Sequence, residues 1–244
     1  MRRLGLIAAL ILGLVASPAM AEIVIVAASG DAGLQAGQKL DPAVEIALPQ
    51  GARITVLSKT GDMKVIEGPY TGPVGAEAAA PGAEVEVARW DAVTTFLGDP
   101  DARSEVVGAS RSAKSGLLAS PSSIWDVSVD SSGPRCTRAS GLVLWRKRAT
   151  LPLTVSVRGP GVRVTDLDWP KGDNSLALPE SYPAEDGTMI VSLDGNLREL
   201  SIKVLPEEME DAAPGRLLGW LVDNKCARQA LSLIAHVHAG TGIR

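Results

Sequence analysis

Between Ile124 and Leu205 the chain breaks into six short strand-like runs, "SIWDVSV", "GLVLWRK", "LPLTVSV", "VRVTDLDW", "TMIVSL" and "LRELSIKVLP", each bounded by Gly, Pro, Asp or Asn. Such runs end at residues that reverse the backbone, so they form strands that need neighbours, not long helices. The punctuation predicts a mainly β protein, with residues 121–206 forming a small antiparallel, immunoglobulin-like sandwich by analogy of fold. Composition agrees: 25 Gly and 16 Pro supply turns, and five Trp, two Tyr and one Phe leave the core chiefly aliphatic.

A first β domain, a roll or sandwich, is expected over residues 22–80. "EIVIVAAS" is a β-branched run closed by Gly30, the pattern of a buried strand. In "DPAVEIALP", Val44, Ile46 and Leu48 alternate with small or charged residues between two prolines, which predicts a strand with one buried face. "GARITVLSKTGDMKVIEGPYTG" reads as a hairpin: Ile54 and Val56 alternate on the way out, "KTGD" turns, and Met63 and Val65 return on one face. "GPYTGP" is a second turn cluster.

Over residues 81–120 the period changes. Val85, Ala88, Ala92 and Phe96 recur at helical spacing, Glu84 and Glu86 suit a helix N-terminus, and Gly98 with Pro100 stops it. A small, polar linker follows. The last segment, 207–244, carries two apolar stripes interrupted by "DNK", which predicts a helical hairpin with Asn224 as a left-handed cap.

The N-terminus "MRRLGLIAALILGLVASPAMA" has Arg2 and Arg3, then an aliphatic stretch from Leu4 to Val15, then Pro18 and small residues at Ala19 and Ala21. Twelve apolar residues at about 1.5 Å each fall short of a bilayer core of about 30 Å. The expectation is a signal peptide over 1–21, cleaved after Ala21, and a periplasmic or secreted protein starting at Glu22. Removing two arginines leaves 22 basic against 28 acidic residues, a formal charge of −6. That balance excludes a nucleic-acid binder relying on counterion release. In an oxidising compartment, Cys136 and Cys226, the only two cysteines, are expected to form a disulfide.

No catalytic signature is found. The two histidines, His236 and His238, point in different directions on a helix, so they do not jointly hold a metal. They are expected at a frayed, exposed helix end, which leaves a Ser-His or Cys-His hydrolase without a base. "GPYTGPVG" and "GPGV" lack the spacing and lysine of a phosphate loop. Asp166 and Asp168 in "DLDW" lie beside Trp169 and could line a sugar site, the basis of a carboxylate-dependent hydrolase as a lesser reading. Exposed aromatics would mark a partner or glycan surface. The candidates are Tyr70, Trp145 and Trp169, joined by the basic run Arg146, Lys147 and Arg148.

The segment with Leu34, Gly37 and Leu40 as entry, Ile54 to Leu57 as middle strand and Gly61-Asp62 as turn resembles the FecR-like periplasmic module over roughly residues 23–72. The resemblance implies β architecture and a scaffolding or relay role outside the inner membrane through protein contact. The departure is the absence of an apolar anchor after the leader, which signalling members require. The resulting expectation is an exported, non-catalytic binding or scaffold protein, without cofactor or metal, whose partner is another envelope protein. The alternative is a cell-wall or glycan-binding module.

Overall fold

The computed structural model describes residues 22–76, 90–99 and 121–241. The chain is mainly β. Its first part forms β1 (Ile23–Ser29), β2 (Lys39–Leu40), β3 (Glu45–Leu48), β4 (Arg53–Ser58), β5 (Met63–Glu67) and β6 (Tyr70–Pro73). An antiparallel sheet has the order β2-β1-β4-β5, and β3 pairs with β6 across from it. The β4–β5 hairpin is the one expected from "KTGD". The glycine before β6 has a positional reason: Gly68 lies against the Pro49 carbonyl, where any Cβ would collide with backbone.

Four consecutive residues of β1, Ile23 to Val26, are buried because both faces of the strand are covered. Ile23 and Ile25 join Ile54, Val56 and Ile66 against Ile46, Leu48 and Val74. Val24 and Val26 join Leu57 on the opposite face, against helices. Fully burying such a side chain stabilises the fold by roughly 1.5–3 kcal/mol.

The second part contains β7 (Val127–Ser128), β8 (Gly133–Thr137), β9 (Val143–Trp145), β10 (Leu153–Arg158), β11 (Arg163–Trp169), β12 (Ser175–Ala177), β13 (Gly187–Leu193) and β14 (Asn196–Val204). A sheet β11-β10-β13-β14-β8 and a sheet β12-β9-β7 enclose a core of Val127, Leu144, Val155, Val157, Trp169, Met189, Val191, Leu200 and Ile202. The expected sandwich is therefore present, but it is not purely antiparallel. β8 runs parallel to β14 and β7 parallel to β9. A bulge between β10 and β11 places Asp166 at φ 59°, which explains why the alternation Val162, Val164, Leu167 slips by one residue.

Among the described residues the α-helices are α1 (Trp90–Gly98), α2 (Pro214–Asp223) and α3 (Ala227–Ala239). The expected helix start at 81–89 and the linker at 100–120 lie outside the described residues. α2 and α3 form the expected hairpin, with one correction. The left-handed residue is Lys225 at φ 60°, whereas Asn224 has φ −86°. Cys226 N–H donates to Leu221 O and Lys225 N–H to Val222 O, the pairing of a Schellman stop. The side chain of Asn224 instead donates to Trp220 O at 2.9 Å.

One apolar cluster unites the parts. Val24, Val26 and Leu57 of the first sheet meet Trp90, Val93 and Leu97 of α1, Ile124, Trp125, Cys136 and Leu205 of the second β region, and Leu217, Leu218, Leu221, Leu233 and Ile234 of the hairpin. Gly215 allows the closest approach. Its N–H donates to Gly61 O at 3.1 Å, and a Cβ there would strike that carbonyl and Leu57.

Candidate functional site

Burial divides the six expected surface residues. Trp145 is buried and Trp169 is 0% exposed, so neither ring is open to a glycan or partner. Arg146 is 3% exposed, and its guanidinium lies 4.7 Å from the Trp169 ring centroid. Its Nε donates to Asp173 O (3.0 Å), Nη1 to Leu151 O (2.9 Å) and Nη2 to Pro170 O (2.6 Å) and Trp169 O (3.5 Å). Of the basic run foreseen at the surface, Arg146 is thus an internal staple: a planar, five-donor cation spent on carbonyls of two loops. Lys147 is half-buried, and its backbone N–H is held by the Asp130 carboxylate. Arg148 is exposed. Tyr70 is half-buried, and its hydroxyl donates to Pro73 O at 2.8 Å.

The loops that Arg146 ties together build one end of the sandwich. There Thr154 N–H donates to Asp194 Oδ1 at 2.9 Å, and Asp194 N–H returns to Thr154 O at 3.2 Å. Asp194 and Gly195, both at positive φ, make the two-residue turn between β13 and β14. An open depression of about 210 Å³ is lined by Pro152, Leu153, Thr154, Asp168, Trp169, Pro170 and Asp194. Leu151 stands three residues before Thr154 and is 68% exposed; Leu197 stands three residues after Asp194 and is 65% exposed. These two leucines escaped the sequence reading because each begins a strand-like run, "LPLTVSV" and "LRELSIKVLP", and so counted as interior.

The second polar node is at the end of α3. His238 Nδ1 lies 2.8 Å from Thr55 Oγ1 and its Nε2 lies 2.9 Å from Ser29 Oγ. Arg53 Nη1 donates to His238 O at 2.8 Å, and Nη2 meets Glu67 at 2.6 Å. The frayed helix end expected here is corrected: Gly240 at φ 69° closes α3, with Thr241 N–H donating to His236 O, and the turn is docked. Periodicity along one helix does not show which strand receives its tip. Burial and the nearby Arg53 hold the His238 pKa below its ordinary 6.5. The ring bridges a serine and a threonine hydroxyl. A hydroxyl does not stabilise an imidazolium as the carboxylate of a catalytic triad does.

The aspartates of "DLDW" are both exposed, and Asp166 occupies the bulge. Burial lifts a different carboxyl, Asp126, above the usual range; its hydrogen-bond partners are Ser122 Oγ and Ser123 N–H. Among the described residues, no group of three or more His, Cys, Asp or Glu is placed to hold a metal, and no helix is long and apolar enough to cross a membrane. Comparison with protein families, curated proteins and solved structures returns no match.

Proposed function

We propose that this chain is an exported, non-catalytic binding or scaffold protein of the cell envelope. It meets a partner protein through the loop end of its second β unit, at Leu151, Pro152 and Leu197. The observation that carries this reading is that two highly exposed leucines, Leu151 and Leu197, stand within three residues in sequence of Pro152 and Asp194, which line the open depression. Large apolar side chains left in water at one place are what a protein interface covers. The leader and the disulfide support an oxidising, extracytoplasmic setting. The likeness of residues 23–72 to the FecR-like module supports action by protein contact. The glycan-binding alternative is weaker because Trp145 and Trp169 are covered, leaving Tyr70 alone of the aromatic candidates.

The test is in-cell crosslinking and affinity capture with wild type and the Leu151→Asp/Leu197→Asp variant. The expected outcome is one envelope protein captured by wild type, lost in the variant, at an unchanged melting temperature. Equal capture by both proteins would overturn the assignment of this end. Co-sedimentation with cell-wall polymer, lost in Tyr70→Ala, would establish the glycan reading instead.

A further inference from the structure

The last buried side chain of α3 is Ile234; in the final turn Val237, only partly buried, packs against the core. Beside that contact, the turn is tied to the sheet by polar contacts around His238, made to neighbouring strands: Ser29 on β1 and Thr55 on β4, where Ala27 opposes Thr55 and Ser29 opposes Arg53. We propose that His238 is a proton-operated latch: its neutral ring fastens the C-terminal helix end to the sheet, and its imidazolium releases it.

The chemistry of the partners sets the direction. A neutral imidazole donates through one nitrogen and accepts through the other, and two hydroxyls satisfy either tautomer. Thr55 is 0% exposed, so a charge placed beside it is removed from water on that side. The charged and titratable groups that face the ring do not compensate. β4 brings Arg53, a cation bonded to the carbonyl of the same histidine. β5 brings Glu67, which that guanidinium already engages. β1 brings only the Ser29 hydroxyl, and His236 of α3 turns its ring to Ser232 O at 2.8 Å. A cation at a helix C-terminus normally gains about 0.3–1 kcal/mol from the dipole. Here the last carbonyls are already met: His236 O by Thr241, Val237 O by Gly240 and His238 O by Arg53. The latch thus closes above the His238 titration and opens below it.

The experiment is an NMR titration of both histidines in the full-length exported protein, with hydrogen exchange followed from pH 8 downward and corrected for intrinsic rates. The expected result is that His238 titrates below 6.5. Protection of the amides at 238–241 falls with it, by about tenfold for every unit by which its pKa lies below that of the detached turn. Protection in β10 and β13 stays constant. His236→Gln keeps this response, whereas His238→Gln, which retains a donor and an acceptor, makes protection at 239–241 independent of pH. Titration of His238 at or above 6.5, unchanged protection across its titration, or a persistent response in His238→Gln would each overturn the latch.

Discussion

Gln229 grips both backbone polar groups of Cys136: its Oε1 accepts from the Cys136 N–H at 2.7 Å, and its Nε2 donates to the Cys136 carbonyl and, at 2.8 Å, to Ile124 O. Strand β8 pairs with β14 on one side only, so an amide side chain stands where the next strand would be. Edge backbone left in an apolar cluster must find such a partner. Removing it leaves a donor and two acceptors buried, each costing about 1–3 kcal/mol when unpaired. Gln229→Ala is therefore expected to lower stability by about 3–4 kcal/mol, since partial water entry recovers some of the sum. The urea midpoint at constant slope measures it. Gln229→Glu should be at least as damaging at pH 7, because a carboxylate cannot donate to two carbonyls; a wild-type midpoint for that variant would exclude the role.

The same helical turn holds Cys226, disulfide-bonded to Cys136 across 90 positions. Closing a loop of that length is worth about 4–5 kcal/mol in the chain-entropy model. The Cys136→Ser/Cys226→Ser variant is expected to lose that order of stability. The two devices act on one junction, so their effects should not add. With the disulfide present, Gln229→Ala leaves polar groups trapped dry. Without it, the junction opens and water reaches them. The triple variant should lose less than the two separate losses together, by about 1 kcal/mol; strict additivity in a double-mutant cycle would show that the devices are independent.

Arg146 makes a parallel case beside Trp169 of the second β core. Arg146→Met keeps the length and apolar contact with Trp169 but leaves Leu151, Asp173, Trp169 and Pro170 carbonyls without their donor. The expected cost is about 3–5 kcal/mol, since each carbonyl left buried without a donor costs about 1–3 kcal/mol and water reaches only some of them. Arg146→Lys should fail to restore it, since a single ammonium cannot reach two loops with the spread of a guanidinium. Thermal melts of both variants check this. Full stability in Arg146→Lys would mean that charge alone, not the fork, holds the loops.

At Gly215 the argument is steric. A Cβ would meet the Gly61 carbonyl at 2.2 Å, shorter than any real contact. Gly215→Ala must push the start of α2 off the β4–β5 turn, at about 1–3 kcal/mol. Crystallographic displacement of that helix start, with a lowered melting temperature, is the expected readout; an unchanged temperature would contradict the close packing.

Local pattern carried the strands that bury one face or two: β1, β4, β10 and β13 are legible as apolar runs with turn residues at their ends. Strand β8 was not, because "GPRCT" has poor strand propensity and exists through non-local partners, the parallel β14, Cys226 and Gln229. The short β12 was missed for the same reason. The disulfide was legible because an expected export and an even cysteine count suffice. Arg146 was misplaced because charge in a run suggests solvent, whereas its exposure depends on two distant loops folding over it. His238 was misplaced because a C-terminal helix end looks free until its receiving sheet is known. The exposed leucines stayed hidden for the opposite reason: strand starts look interior.

Asp126 and His238 give opposite pH signatures, which separates them experimentally. Burial raises the Asp126 pKa above 3.8. Its contribution to stability is then fully present below 3.8 and is lost as pH rises through the folded-state value. His238 is depressed below 6.5: between the folded value and 6.5 the unfolded chain binds more protons, so stability rises with pH across that window and is complete above it. Asp126→Asn keeps an oxygen for Ser122 and Ser123 without the charge, so it should raise the urea midpoint at pH 7 and leave it unchanged below 3.8. His238→Gln should flatten the dependence on the acid side of 6.5 and leave the Asp126 effect intact. A midpoint for Asp126→Asn that falls at pH 7 would mean that the carboxylate is needed as an ion, and the raised pKa would have to be abandoned.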